Sequence, residues 1–190
     1  MKRIAIFASG SGSNAQNITE YFEGSSIIKI PLILTNNSNA FVLERAQKMD
    51  IPSVVFDRND FYNKNVVLNV LEEHKIDFIV LAGFLWLIPE SLIQRFPNKI
   101  INIHPALLPK YGGKGMYGAK VHEAVLAAGD RETGISIHYV NEKYDEGRIL
   151  FQAKTNIEKS DTPDSIAQKV HALEYENFPR IIEKCVLSDV

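Results

Sequence analysis

Residues 4–22, IAIFASGSGSNAQNITEYF, carry an apolar run into a glycine-serine turn and out again into a helix-like stretch. Ile4-Ala5-Ile6-Phe7-Ala8 shows no polar alternation. That is the mark of a strand buried on both faces, as in a parallel sheet covered by helices. The turn, spaced Gly10-x-Gly12-x-x-Ala15, matches the looser dinucleotide fingerprint in which Gly or Ala takes the third place. A strand, a tight turn and a helix in this order open a doubly wound α/β fold, and the turn is a candidate phosphate cradle.

The rest of the chain repeats the alternation. Strands are predicted at Arg3–Ala8, Ile28–Thr35, Ser53–Phe56, Phe78–Ala82 and Lys99–His104. Helices are predicted between and after them at Ser13–Phe22, Phe41–Lys48, Phe61–His74 and Pro89–Phe96. In the third, Val66/Val70 and Val67/Leu71 form two i,i+4 apolar pairs. Beyond His104 comes a loop with Pro105, Pro109, Gly112, Gly113, Gly115 and Gly118, then a short helix near Lys120–Ala128. Gly134–Val140 and Ile149–Ile157 form a hairpin across Asn141–Arg148. A last helix starts with Thr162 as N-cap and Pro163 at its first position, and Pro179 is expected to end or kink it. The predicted class is a Rossmann-like, mostly parallel sheet with helices on both faces, an antiparallel addition near the C-terminus and a C-terminal helix.

Composition narrows the function. A chain of 190 residues is long enough for one domain with a substrate cleft. Its net charge of -2 offers nucleic acid no global attraction. The single cysteine, Cys185, excludes an intrachain disulfide and a zinc ribbon, which fits a reducing, cytoplasmic setting. The five histidines include no His-Glu-x-x-His pattern, so no metal is expected. The apolar run after Met1-Lys2-Arg3 is too short for an export signal, and none later is long enough to span a bilayer.

The turn can then be tested as a dinucleotide site. Such a site calls for an Asp or Glu about 20 residues on, to take the ribose hydroxyls. Here the stretch is Thr35-Asn36-Asn37-Ser38-Asn39, which disfavours an NAD-dependent oxidoreductase. No Gly-Lys-Ser/Thr closes the turn as a P-loop would. A phosphate monoester held by backbone amides at a helix N-terminus fits better, with Ser11, Ser13 and Asn14 adding side-chain donors.

The second informative stretch is Ile100-Ile101-Asn102-Ile103-His104-Pro105. Alternation puts Asn102 and His104 on one face and Ile101 and Ile103 on the other. An amide and an imidazole therefore stand together at the carboxyl end of a parallel strand, the edge where open α/β sheets bind ligands. Asp145, in the turn Tyr144-Asp145-Glu146-Gly147, is a candidate partner for His104. Glu142 and Glu146 are equally available by composition, and spacing does not choose among the three.

Four motifs together carry a family resemblance: Ser9-Gly10-Ser11-Gly12-Ser13-Asn14, Val80-Leu81-Ala82-Gly83-Phe84, Asn102-Ile103-His104-Pro105-Ala106-Leu107-Leu108-Pro109 and Tyr144-Asp145-Glu146-Gly147. In this order the sequence resembles the glycinamide ribonucleotide formyltransferases, folate-dependent enzymes of purine synthesis. The likeness implies one formyltransferase domain over 1–190. Residues 1–100 would be its nucleotide- and phosphate-binding half and 101–190 its catalytic and folate-binding half. It also implies formyl transfer from 10-formyltetrahydrofolate to the amine of glycinamide ribonucleotide, with no metal, nucleic acid or membrane partner, in a monomer or homodimer.

Residue by residue, the resemblance implies that Gly12, Ser13 and Asn14 hold the substrate phosphate. Asn102 and a protonated His104 stabilise the oxyanion of a direct amine attack, and Asp145 assists. Glu174 contacts the glycinamide end, while His122 and His171 are read as structural. For folate, the implied wall is Leu85, Trp86, Leu87 and Ile88, with Asn141, Glu142, Lys143, Tyr144 and Asp145 closing the other side and Arg58 meeting the glutamate tail. Trp86 departs from the basic residue frequent in the family. The glycine-rich segment 111–118 is expected to act as a mobile flap. Formyltransferases acting on methionyl-tRNA or an amino sugar, and a formyltetrahydrofolate hydrolase, are the nearest alternatives. The tRNA enzyme is expected to add a further C-terminal domain and a basic surface.

Overall fold

The computed structural model describes residues 1–188, so the last two residues of the expected 1–190 domain lie outside the described residues. Among the described residues, one seven-stranded sheet organises the fold. Its strands are β1 (Lys2–Phe7), β2 (Ile28–Thr35), β3 (Ser53–Val55), β4 (Phe78–Leu81), β5 (Ile100–His104), β6 (Glu132–Tyr139) and β7 (Ile149–Asn156). In space the order is β3-β2-β1-β4-β5-β6-β7. The first five pair in parallel, while β5–β6 and β6–β7 are antiparallel. The chain leaves β1 toward β2 and returns to its other side as β4. The carboxyl ends of β1 and β4 therefore flank the switch point at which such sheets open a ligand crevice.

The unbroken apolar strands have a direct physical cause. Ile4, Ile6 and Ala8 enter one core cluster and Ala5 and Phe7 the other, all fully buried. The helices are α1 (Ser13–Tyr21), α2 (Val42–Lys48), α3 (Arg58–Tyr62), α4 (Val66–Glu73), α5 (Glu90–Arg95), α6 (Ala119–Ala127) and α7 (Pro163–Leu187). Residues of α1, α2 and α7 belong to the first cluster, those of α3, α4 and α5 to the second. No helix among the described residues is long and apolar enough to cross a membrane.

Three local features differ from the sequence reading or refine it. The single helix predicted at Phe61–His74 is two. Asp57 starts α3 with a capping box to Asp60, and Asn65, at φ 55°, starts α4 afresh. Asn65 makes no side-chain cap, and it is its left-handed backbone, which Asn tolerates better than most residues, that interrupts the i,i+4 pairs, of which Val67 and Leu71 are buried. Pro31 sits within β2, where the register slips from Arg3↔Lys29 to Ala5↔Leu32, a bulge that tolerates its missing donor.

Pro179 does not end the last helix, which runs through to Leu187. Proline leaves the carbonyl four residues back without its helical donor. That carbonyl, Tyr175 O, instead accepts from Asn17 Nδ2 at 3.1 Å, a contact supplied by α1. The helix start is as expected, with Thr162 capping and Pro163 first.

Candidate active site

The turn after β1 is built for close backbone approach. Gly12 is the N-cap of α1 with φ 71°, and a Cβ there would lie 2.4 Å from Val42 Cγ2. Ser13 is thus the first helical residue rather than the cap. Nothing within the helix accepts from the Ser13 and Asn14 N–H groups, and the helix dipole adds partial positive charge. Helix α2 braces the turn: Val42 N–H donates to Gly10 O at 3.1 Å and Arg45 Nε to Ser11 O at 2.8 Å. Arg45 also bonds Gln16 Oε1. Sequence reasoning passed over Arg45, which is remote along the chain and carries no motif.

Asn14 also has a partner beyond the turn. Its Nδ2 donates to Glu174 Oε2 at 2.8 Å, which engages one of its two amide hydrogens, and its Oδ1 is buried without a partner. Glu174, itself 4% exposed, also meets His171 Nδ1 at 2.8 Å through the same oxygen. That hydrogen bond raises the His171 pKa above its ordinary value against the opposing effect of burial. Asn14 therefore offers an anion its backbone N–H, while its amide holds the Glu174 carboxylate.

At the end of β5, Ile101 and Ile103 are buried on the core side as alternation required. Asn102 and His104 share the opposite face with Asp145. His104 Nδ1 lies 3.6 Å from Asp145 Oδ2, and Asn102 Nδ2 donates to Asp145 Oδ1 at 3.4 Å. Of the three available carboxylates, the fold brings Asp145. It does so with a positive φ of 56°, a region Asp tolerates better than most residues. Gly113 N–H donates to its Oδ2 at 2.9 Å, fastening the glycine-rich segment to the same carboxylate.

Burial and the neighbouring carboxylate act on the His104 imidazole in opposite directions. His104 is 4% exposed, and this burial lowers its pKa below the ordinary value despite the attraction of Asp145 and the bond to Tyr111 O. Tyr111 O can only accept, so at 2.7 Å it fixes the proton of the neutral ring on Nε2. Asp145 keeps its charge: burial opposes ionisation, but His138, His104 and the Gly113 N–H together outweigh it and hold the pKa low.

His138 is the residue that sequence reasoning missed. It lies on β6 directly across from Asn102, buried, with Nδ1 at 2.8 Å from Tyr139 O and Nε2 at 3.1 Å from Asn102 Nδ2. The Tyr139 carbonyl requires a proton on Nδ1, while Nε2 stands between Asn102 Nδ2 and, at 3.5 Å, Asp145 Oδ1. Asn102 Nδ2 thus faces two neighbours, His138 Nε2 and Asp145 Oδ1. Donation to an oxyanion requires one of them to be released. A signal was present in Ser136-x-His138, a polar pair with the spacing of Asn102-x-His104 on the adjoining strand.

These groups line one cleft of about 640 Å³. Gly12, Ser13, Asn14, Leu85, Asn102, His104, Tyr144, Asp145 and Glu174 all reach it, as do His122, His171 and the segment 113–119. Arg58, Trp86, Leu87, Ile88, Asn141, Glu142 and Lys143 do not line it. Arg58 instead lies over the Trp86 ring at 4.9 Å, and Tyr62 stacks on that ring at 6.2 Å. Trp86 thus packs among the rings of Phe56, Phe61, Tyr62 and Phe84. Two backbone groups of the expected folate wall already have partners: Leu85 N–H donates to Ser9 Oγ, and Leu87 O accepts from Tyr62. Among the described residues no group of three or more His, Cys, Asp or Glu is placed to hold a metal ion.

Comparison with known proteins bears on this cleft. The formyl transferase family model matches residues 2–182. The chain is 42% identical to the chloroplastic phosphoribosylglycinamide formyltransferase of Arabidopsis thaliana over 187 residues, 95% of this chain. It spans only 64% of that relative's length. The phosphoribosylglycinamide formyltransferase of Bacillus subtilis is 36% identical over 189 residues, covering 97% of this chain and 94% of its own. A crystal structure of glycinamide ribonucleotide transformylase 1 from Geobacillus kaustophilus superposes with a TM-score of 0.88 at 32% identity, covering 98% of this chain and 99% of that one. This chain belongs to the formyl transferase family, among the phosphoribosylglycinamide formyltransferases.

Proposed function

We propose that the chain transfers a formyl group from 10-formyltetrahydrofolate to the amine of glycinamide ribonucleotide, giving the N-formyl product and tetrahydrofolate. The observation that carries this reading is the meeting of two features in one cleft: an anion-binding helix start at Gly12–Asn14 and the Asn102, His104 and Asp145 group at the end of β5. A ribose phosphate held at the first places an amine within reach of the second. Backbone amides of Ser13 and Asn14 take the phosphate, and Glu174, steadied by Asn14 and His171, meets the glycinamide end.

The amine nitrogen attacks the formyl carbon, and the carbonyl electron pair moves to oxygen. The tetrahedral intermediate carries negative charge on that oxygen and positive charge on the attacking nitrogen. Neutral His104 has Nδ1 free to receive a proton beside Asp145 Oδ2. The imidazolium so formed is stabilised by the carboxylate, already present at rest, and by the new oxyanion, which the resting balance of burial and charge lacks. The C–N bond to folate then breaks, and the leaving nitrogen receives the proton. Asn102, released from His138 or Asp145, donates to the oxyanion.

Folate binding is assigned to Leu85 and to the Asn141–Asp145 turn. Arg58, Trp86, Leu87 and Ile88 form an outer rim for the tail, and the segment 111–118 forms the flap over the amine side. The test is a formyl-transfer assay with both substrates on the wild type, His104→Ala and Asp145→Asn. Turnover in the wild type with severe loss in both variants is expected. No turnover by the wild type would refute the activity, and full activity in both variants would remove the mechanism.

A further inference from the structure

Asn36 and Asn37 stand where a dinucleotide enzyme would carry its acid, and the cleft does not use them. They are engaged at one residue, Ser9. Its hydroxyl donates to Asn36 Oδ1 at 2.7 Å and accepts from Leu85 N–H at 3.0 Å. Its backbone N–H donates to Gly83 O at 3.0 Å, and its carbonyl accepts from Asn37 Nδ2 at 3.3 Å. Ser9 is buried, and these bonds tie the carboxyl end of β1 to the ends of β2 and β4 at the switch point.

The position of Ser9 gives these bonds a functional meaning. The residues after it form the phosphate turn, and Leu85 opens the folate loop. A hydroxyl has one proton. Because Asn36 Oδ1 receives it, the oxygen lone pairs face Leu85 N–H. We propose that Ser9 is a positioning residue shared by the two substrate subsites, its hydroxyl setting the phosphate turn and the folate loop against each other, with Asn36 fixing the hydroxyl's direction. This rests on the proposed formyl transfer for the identity of the two substrates.

The consequence is a paired effect. Ser9→Ala leaves Leu85 N–H and Asn36 Oδ1 without their partner, so both loops lose a fixed edge at once. Loss of a hydrogen bond of this kind is expected to raise each KM about two- to tenfold, with kcat changed less than either. Asn36→Ala frees the hydroxyl to turn and raises both constants in the same proportion. Asn36→Asp keeps an acceptor oxygen and restores both. Ser13→Ala, within the phosphate turn, raises the ribonucleotide constant alone.

The experiment measures KM and kcat for both substrates in these variants. Calorimetric Kd values for glycinamide ribonucleotide and tetrahydrofolate are taken separately, with thermal unfolding to confirm that each variant is folded. A joint rise in both constants, reversed in Asn36→Asp, supports the inference. A rise in one constant only, no rise, or an Asn36→Asp protein as weak as Asn36→Ala overturns it. Should Ser9→Ala not fold, the Asn36 pair carries the same comparison. Wild-type binding of both ligands without turnover refutes the proposed activity and leaves the paired Kd effect to decide the role of Ser9. Binding of neither refutes both.

Discussion

The two sides of the cleft are built differently. On the ribonucleotide side, contacts join residues far apart in sequence: Asn14 to Glu174, Asn17 to Tyr175, Arg45 to Ser11. Helices α1, α2 and α7 meet at the turn, where Asn14 and Glu174 are buried while Gly10 and Ser11 stay exposed. On the side proposed for folate, Leu85, Glu142 and Lys143 are exposed, and local bonds such as Lys143 N–H to Asn141 Oδ1 and Lys143 to Glu146 accompany the longer links of Leu85 to Ser9 and Leu87 to Tyr62. On the proposed function, a compact phosphate would meet convergent helix ends, whereas a long folate would lie along a rim. Change on the first side should therefore propagate into folding, and change on the second should stay local.

The largest test of that contrast lies between the two sides. His104→Ala and Asp145→Asn should each lower kcat by about 10²–10⁴, the range for losing a general acid-base group or an oxyanion donor. Steady-state formyl transfer with both substrates saturating measures this. A loss confined to KM would put both residues in binding rather than chemistry.

Next in size is a comparison of two glycines in left-handed backbone, one on each side. Gly12→Ala brings a Cβ to 2.4 Å from Val42, while at Gly83, φ 74°, nothing lies within 4 Å. Urea unfolding should show a cost of about 1–2 kcal/mol for Gly83→Ala, the left-handed penalty alone. Gly12→Ala should reach about 2–5 kcal/mol, because overpacking adds about 1–3 kcal/mol. Equal costs would mean that Val42 moves aside freely and that the turn is less tightly built than its contacts imply.

Glu174→Gln tests the same side more gently. One amide oxygen can still accept from Asn14, but the carboxylate that raises the His171 pKa is gone. The ribonucleotide KM should rise about tenfold, as for a lost charged hydrogen bond, with the folate KM within twofold. A matching rise in the folate KM would break the separation of the two sides.

The smallest effect is the pH dependence of stability. His104 and His122 both have pKa values lowered, first by burial, so the unfolded chain binds their protons more readily than the folded one. Stability from these groups is present above about 6.5, the unfolded value, and is lost as pH falls below it. His171 has the opposite sign: its raised pKa contributes stability that is present below the unfolded value and is lost as pH rises through the folded one. Melting temperatures between pH 7.5 and 5 should fall for the wild type and fall less for His122→Asn. A steeper fall in that variant would reverse the assignment.

The sheet was legible because strands buried on both faces leave continuous apolar runs, and β2 and β5 fall at or within one residue of their predicted bounds. Asn102 and His104 were legible for a related reason: a period of two and a terminal Pro105 place them on one face at a strand end. Less legible were features that depend on a partner elsewhere. The break at Asn65 hides among good helical pairs, and the persistence of α7 past Pro179 needs Asn17 to supply a donor. His138 stands in a strand that was recognised, but its importance comes from facing Asn102 across the β5–β6 pair.

By itself the sequence determined the order of strands and helices, the glycine turn at a helix start, the polar pair ending β5 and the family to which these motifs point. Periodicity and backbone preference are local, and a single chain displays them. Only the tertiary structure decided that Asp145 rather than Glu142 or Glu146 meets His104, that burial of His104 works against that carboxylate's pull on its pKa, and that the Asn14 amide serves Glu174. Each of those outcomes depends on distance, burial and the direction of a hydrogen bond, quantities that exist only once remote segments are brought together.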